Sequence, residues 1–187
     1  MMQELVIMSD KWYTYEDYLR LDDKREYEII GGKLFMTPKP KPLHQEIIGR
    51  LYVALYSFLR QQKFPGKIFM DVDVVFGEQV VSPDIIYISP ERLSIIFETN
   101  IQGAPDLVVE VLSPSTQKYD RKHKSQLYYT NGVKEYWLID PAMQLAEIFS
   151  REDKGWYRSG VYDEEDILAS PLLTDLEINL KEVFTGV

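Results

Sequence analysis

The chain has 187 residues, 45% hydrophobic and 27% charged, an ordinary globular make-up and enough length to bury a sizeable core. Its lack of cysteine excludes disulfides and thiolate metal sites, and with only two histidines any bound metal is expected to be hard and oxygen-ligated. No apolar stretch approaches the ~20 residues of a membrane helix and the N-terminus lacks a signal-peptide pattern, so a cytoplasmic protein with no membrane partner is expected.

A net charge of −9 speaks against nucleic acid until its distribution is considered. Residues 33–67 hold seven Lys/Arg against Glu46 alone, and residues 118–124 hold four against Asp120. The acidic excess lies elsewhere, notably at Asp163, Glu164, Glu165 and Asp166. Basic surface is therefore compatible with a globally acidic chain, with scattered solvated charges as the alternative.

In chain order, Thr14 followed by Asp17 ahead of Tyr15, Tyr18 and Leu19 reads as a short capped helix. Glu26 to Ile30, Gly31-Gly32 and Lys33 to Met36 read as a hairpin, because the glycines supply the positive φ of a tight turn. The prolines between Thr37 and Pro42 make an extended basic connector. Leu43, Ile47, Ile48, Leu51, Leu55, Phe58 and Leu59 draw one apolar stripe, which predicts a helix from 43 to about 62, ended by Phe64-Pro65-Gly66. Strands are expected over 67–76 and 80–88, with Asp71 and Asp73 on a polar strand face, then a short helix around 91–98.

A buried strand over 106–112 follows, then a helix ending near Asn131-Gly132, then strands at 135–140, 144–150 and 156–162. Residues 1–187 read as a single domain, its core spanning about 12–150 and a peripheral extension about 151–187. The fold class expected is an α/β sandwich, a central mixed β-sheet flanked by helices.

Two proline-aspartate steps each launch an apolar run, Pro83-Asp84 and Pro105-Asp106. The second run carries Glu110 among Val108, Val109, Val111 and Leu112, where a carboxylate is costly to bury without a cation, hydrogen bonds or a proton. Asp106 and Glu110 sit roughly 13 Å apart along one strand at ~3.3 Å per residue, far for two ligands of one Mg²⁺. Asp84 opens a different strand, and neighbouring strands run only ~4.8 Å apart. Asp84 with Glu110 is therefore the preferred metal pair, and Asp106 reads first as a backbone- or turn-bonding residue, with a supporting site role as the alternative.

Beyond this reading, Tyr27 to Leu34, His44, Ser82-Pro83-Asp84, the block from Pro105 to Ser115, Tyr119-Asp120-Arg121, Lys124, Tyr128 and the block from Gly132 to Pro141 resemble the Uma-two family of restriction endonucleases. That family belongs to the PD-(D/E)XK nuclease superfamily, and the resemblance runs from about residue 12 to 150. It implies a restriction-endonuclease-like fold, Asp84 and Glu110 holding Mg²⁺ or Mn²⁺, a lysine beside the attacking water, and DNA as substrate, with a homodimer expected for cutting both strands. The superfamily lysine two residues after the glutamate is here Leu112. Lys124 is the expected replacement, since it shares a stripe with Leu127 and Tyr128, while Lys122 falls on another face and Lys118 precedes the helix. Its removal is expected to abolish cleavage and leave metal affinity largely intact. In related nucleases a first-helix acid joins the site, which makes Glu46 a candidate ligand or an exposed acid near a helix N-terminus. His44 reads as a cap or satisfied histidine, with a supporting role as the alternative. Leu112 also leaves open a second function, a binding module that keeps the fold without catalysis.

Overall fold

The computed structural model describes residues 6–7, 11–23, 25–63 and 65–186. In chain order it contains β1 (Val6–Ile7), α1 (Tyr15–Leu19), β2 (Tyr27–Ile30), β3 (Lys33–Met36) and α2 (Pro42–Gln61). Next come β4 (Lys67–Met70), β5 (Val74–Phe76), β6 (Gln79–Val81), β7 (Ile85–Ile88), a 3₁₀ turn (Pro90–Ile95), β8 (Ile101–Gln102) and β9 (Leu107–Val111). A helical segment follows, made of α3 (Gln117–Tyr119), a π turn (Asp120–Lys124) and α4 (Ser125–Asn131). The chain ends with β10 (Glu135–Asp140), β11 (Leu145–Glu152), β12 (Gly155–Tyr162), β13 (Ile167–Ala169), β14 (Glu177–Asn179) and α5 (Leu180–Phe184).

Local chemistry accounts for the ends of several elements. Thr14 and Asp17 close a reciprocal capping box on α1. Gly31 and Gly32 sit at φ +57° and +71°, the left-handed pair that a two-residue hairpin between β2 and β3 requires. Pro42 starts α2, where its missing N–H costs nothing, and the predicted terminator Phe64 lies outside the described residues.

The main sheet runs β12-β11-β10-β9-β7-β4, with β9 and β10 parallel and the remaining pairs antiparallel. A parallel pair needs a crossover, and the segment from α3 to α4 supplies it. Alternation along the strands then divides the core. Val109, Val111, Trp137 and Ile139 face α2, whose Ile47, Ile48, Leu51, Leu55 and Leu59 are buried against them. Each such side chain contributes about 1.5–3 kcal/mol by leaving water. Val108, Leu112, Tyr136 and Leu138 face the other way, toward Leu127 and Tyr128 of α4 and toward a second sheet. Glu110 shares the parity of Val108 and so points to that side.

The second sheet, β1-β3-β2-β6-β5-β8, corrects the reading of 67–76 and 80–88 as two unbroken strands. The hairpin instead divides: β4 and β7 pair in the main sheet, β5 and β6 in the second. Asp71 takes a left-handed φ of +50°, and Pro83 has no N–H to continue a ladder. Asp71 is thus a break rather than a strand-face residue, while Asp73 accepts from the Tyr18 hydroxyl at 2.7 Å.

The expected extension at 151–187 is not peripheral over its described residues, 151–186. β12 is the edge strand of the main sheet, and Leu168, Leu173, Leu176, Ile178, Leu180, Val183 and Phe184 belong to the same core as α2. The helix expected at 91–98 is the 3₁₀ turn at 90–95, and Lys118 lies within α3 rather than before it. Glu135 ties the C-terminal segment down. Its carboxylate accepts from Trp137 Nε1 at 2.7 Å, Ser170 Oγ at 2.6 Å and the Leu172 amide at 2.9 Å.

Asp106 proves architectural. Fully buried, it accepts from the Ser89 amide at 2.7 Å and pairs with Lys134 at 2.7 Å, while its carbonyl receives the Lys134 and Glu135 amides. Burial pushes its carboxyl pKa up, but Lys134 and the Ser89 amide outweigh that and hold it below the ordinary value.

Two outcomes are expected. Glu135→Ala strands three donors and should cost about 3 kcal/mol in a urea melt, with the effect localised to residues 167–184 in amide exchange. Because the Asp106 pKa is lowered on folding, its contribution is full above the unfolded carboxylate value of about 3.9 and is lost as pH falls through the lowered folded value. The stability advantage of wild type over Asp106→Asn should therefore persist from neutral pH to about 4 and shrink below it.

Candidate active site

The hairpin divides beside the end of β9, where both sheets and the crossover helix meet around a buried group of charges. Lys124 enters it from the helix side. A π turn packs five residues where an α-helix would place fewer, and here Asp120 and Lys124 both turn inward while Arg121, Lys122 and His123 stay exposed. The Lys124 side chain is only 7% exposed, and its ammonium lies 2.8 Å from Glu28 Oε1, 3.1 Å from Glu110 Oε1 and 3.7 Å from Asp120 Oδ1.

Each carboxylate is held by its own element. Glu110 Oε1 also accepts from the Tyr128 hydroxyl at 2.6 Å, one turn of helix beyond Lys124. Glu28, on β2, uses Oε1 to accept the Ser82 amide at 3.0 Å, the N–H released where the hairpin divides at Pro83. Asp84 follows that break. The β7/β9 register pairs Ile85 with Val109, and continuing it sets Asp84 opposite Glu110 on the adjacent strand. Asp84 Oδ2 accepts the Val111 amide at 2.6 Å, which fixes the carboxylate at the strand end.

His44 arrives from the first turn of α2. Its Nε2 donates to the Val111 carbonyl at 2.7 Å and lies 3.5 Å from Asp84 Oδ2. It therefore borders the site rather than capping a helix at the surface.

The electrostatics follow from four carboxyl groups gathered around one ammonium. Burial raises Glu110 well above the ordinary range; Lys124 opposes this, while Asp120, Asp84 and Glu28 add to it. Burial likewise raises Asp84, against His44 and the Val111 amide, and pushes Asp120 up to about 6. For Lys124, burial alone would favour the neutral amine, but Glu110 and Glu28 hold its pKa well above the ordinary value. The ammonium keeps its proton because its neighbours are acids.

Several expected residues lie elsewhere. Glu46 is exposed and pairs with Arg50 along α2, the ordinary i,i+4 partnership of a surface helix. Asp106 sits at the far end of β9 with Ser89 and Lys134. Leu112 fills the apolar core below the site. Lys122 and Lys118 are exposed. Sequence reasoning missed Glu28, Asp120 and Tyr128. Glu28 carried the same signal as Glu110, an acid between apolar neighbours in a strand whose Tyr27, Glu28 and Ile29 are all buried. Asp120 stands four residues before Lys124, the spacing of a helical ion pair.

The basic segments only partly converge. Lys33, at the β2/β3 turn, joins Lys118 and Lys122 around His123, whose pKa is lowered by burial and then by those lysines. Arg50 belongs to α2 on the other face of the main sheet, where it donates to the Val183 carbonyl at 2.9 Å.

The donors suit a hard divalent ion. All the acids offer oxygen, and Glu28 Oε2 is buried without a hydrogen-bond partner. Among the described residues no three His, Asp or Glu side chains form a ready metal cage, and the Lys124 ammonium stands between Glu28 and Glu110. Among the same residues no helix is long and apolar enough to cross a membrane.

Comparison with known proteins agrees with this architecture. A crystal structure described as a "putative nuclease belonging to DUF820", from Anabaena variabilis, superposes with a TM-score of 0.76 over 91% of this chain and 97% of that one at 23% identity. That likeness shows the fold, a restriction-endonuclease-like mixed α/β sandwich. Two uncharacterized proteins of a Synechocystis strain, slr1290 and sll1609, are 28% and 26% identical, covering 75% and 81% of this chain and 75% and 89% of their own lengths. The profile of the Uma2 family, "Putative restriction endonuclease", matches residues 15–181, and with a match over most of its length the chain belongs to that family.

Proposed function

We propose that the chain is an endonuclease that hydrolyses DNA phosphodiester bonds with Mg²⁺ or Mn²⁺ held by Asp84 and Glu110. The observation that carries this reading is the buried ammonium of Lys124, 3.1 Å from Glu110, delivered by the helix after β9 to the strand on which Leu112 offers no cation. A divalent ion at this place supplies Lewis-acid polarisation of a phosphoryl oxygen and a more acidic water.

The protein's own groups do the rest. The Val111 amide and the Tyr128 hydroxyl orient the two carboxylates. Lys124 orients the attacking water or stabilises charge that grows on the phosphoryl oxygens in the transition state. Lys33, Lys118 and Lys122, which act together on His123, are the basic groups that would attract the strand backbone. A second reading, a DNA- or protein-binding module with the nuclease fold, draws on Leu112 at the place of the superfamily lysine.

Plasmid cleavage with Mg²⁺ or Mn²⁺, paired with calorimetric metal titration, separates the readings. Asp84→Ala should lose metal binding and cleavage together. Lys124→Ala should lose cleavage by on the order of a hundredfold or more, while Lys122→Ala loses only a little DNA affinity. Full activity in Lys124→Ala would reject this lysine as the catalytic cation, and a wild type that binds metal yet cuts no DNA would favour the binding module. DNA affinity should also fall steeply with salt. Replacing Lys33, Lys118 or Lys122 by Ala should each make the log–log salt slope shallower by about 0.9, the share of one neutralised phosphate, whereas Arg50→Ala should leave it unchanged.

A further inference from the structure

The Lys124 ammonium occupies the space between the carboxylates of two different sheets. It shares Glu110 Oε1 with the Tyr128 hydroxyl, and on its other side it meets Glu28 at 2.8 Å and Asp120 at 3.7 Å. Two cations cannot both sit against one buried carboxylate without strong repulsion, because the low dielectric magnifies it. A divalent ion that takes Glu110 therefore competes with this lysine for the carboxylate.

The surroundings show where the lysine can go. Glu28 is fixed by the Ser82 amide through one oxygen, and its other oxygen, Oε2, is buried without a well-formed hydrogen bond, with the Tyr119 hydroxyl beside the carboxylate. An ammonium has three rotatable donors on a flexible stem, so it can exchange one carboxylate for another without leaving the site. Asp120, at the opposite end of the π turn, adds a second anion on the same side.

Building on the metal-dependent reading above, we propose that Lys124 is a tethered counter-ion that competes with the divalent ion for Glu110, and that Glu28, aided by Asp120, is the positioning residue that receives it when metal binds. Glu28 is thus a lysine holder and not a metal ligand. A metal held at Glu110 would compensate that carboxylate, while Glu28 would keep the Lys124 ammonium within the site. The competition predicts tighter metal binding once Lys124 is removed, where the sequence reading expects metal affinity to stay largely intact.

The test is calorimetric titration of Mn²⁺ alone, and of Mg²⁺ alone, into the full-length wild type, Lys124→Met, Lys124→Gln, Glu28→Gln and the Lys124→Met/Glu28→Gln double variant, each first shown to melt cooperatively. Lys124→Gln keeps an N–H donor between the acids and removes only the charge, which guards against a failure of Lys124→Met to fold. Both Lys124 variants should bind metal about tenfold more tightly than wild type. Glu28→Gln alone should bind more weakly, because the lysine then has only Glu110 and Asp120, and it should have no effect in the Lys124→Met background. Equal or weaker binding by the Lys124 variants would overturn the competition while leaving a metal site in place. Further weakening by Glu28→Gln in the Lys124→Met background would make Glu28 a ligand and overturn its assigned role. An absence of binding in every variant would overturn both this proposal and the metal-dependent reading.

Discussion

The buried ammonium of Lys124 is the interaction on which the rest of this structure depends. Among the described residues it is the cation shared by the carboxyl groups of Glu28, Glu110 and Asp120, and it joins the second sheet, the main sheet and the crossover helix at one point. Each of those acids would be costly to bury alone, and breaking such a pair typically costs about 3–5 kcal/mol. Replacing the whole group by apolar side chains would often be neutral or stabilising. Such a gathering of buried ionisable groups is the arrangement in which strongly perturbed, functional side chains cluster.

That site exists because a hairpin divides. Had residues 67–88 formed two unbroken strands, the Ser82 amide would pair in a ladder and Glu28 would lose it as a second donor beside Lys124. Pro83 and the left-handed Asp71 instead send the hairpin into two sheets. The break frees the Ser82 amide for Glu28 and the Asp84 carboxylate for the Val111 amide. A steric constraint in the backbone becomes, one residue later, the placement of an acid opposite Glu110.

The π turn plays the matching part on the helix side. It brings Asp120 and Lys124 inward together and leaves Arg121, Lys122 and His123 outward, beside Lys33 of the facing hairpin. One helical turn thus separates inward charges that compensate each other from outward basic side chains near His123. The acid-rich stretch at 163–166 lies in the C-terminal segment, distant in sequence from these lysines.

Much of this was legible in the sequence wherever a signal is local or periodic. The capping box, the Gly31-Gly32 turn, the α2 stripe and the acid within a Val-rich strand each follow from short-range stereochemistry or from the period of a helix or strand. The sheet adjacency of Asp84 and Glu110 and the inward face of Lys124 could be argued from strand spacing and helix periodicity. The partners of that lysine could not, because Glu28 lies 96 residues upstream of it and only sheet pairing brings β2 to the crossover helix. The same long-range packing decided that Glu46 stays outside, that Asp106 braces a loop, and that residues 151–186 complete the core. Sequence alone determined which residues want to be buried and which cannot continue a ladder; which charges meet was decided by tertiary structure, since ion pairing depends on distances in space that no local pattern encodes.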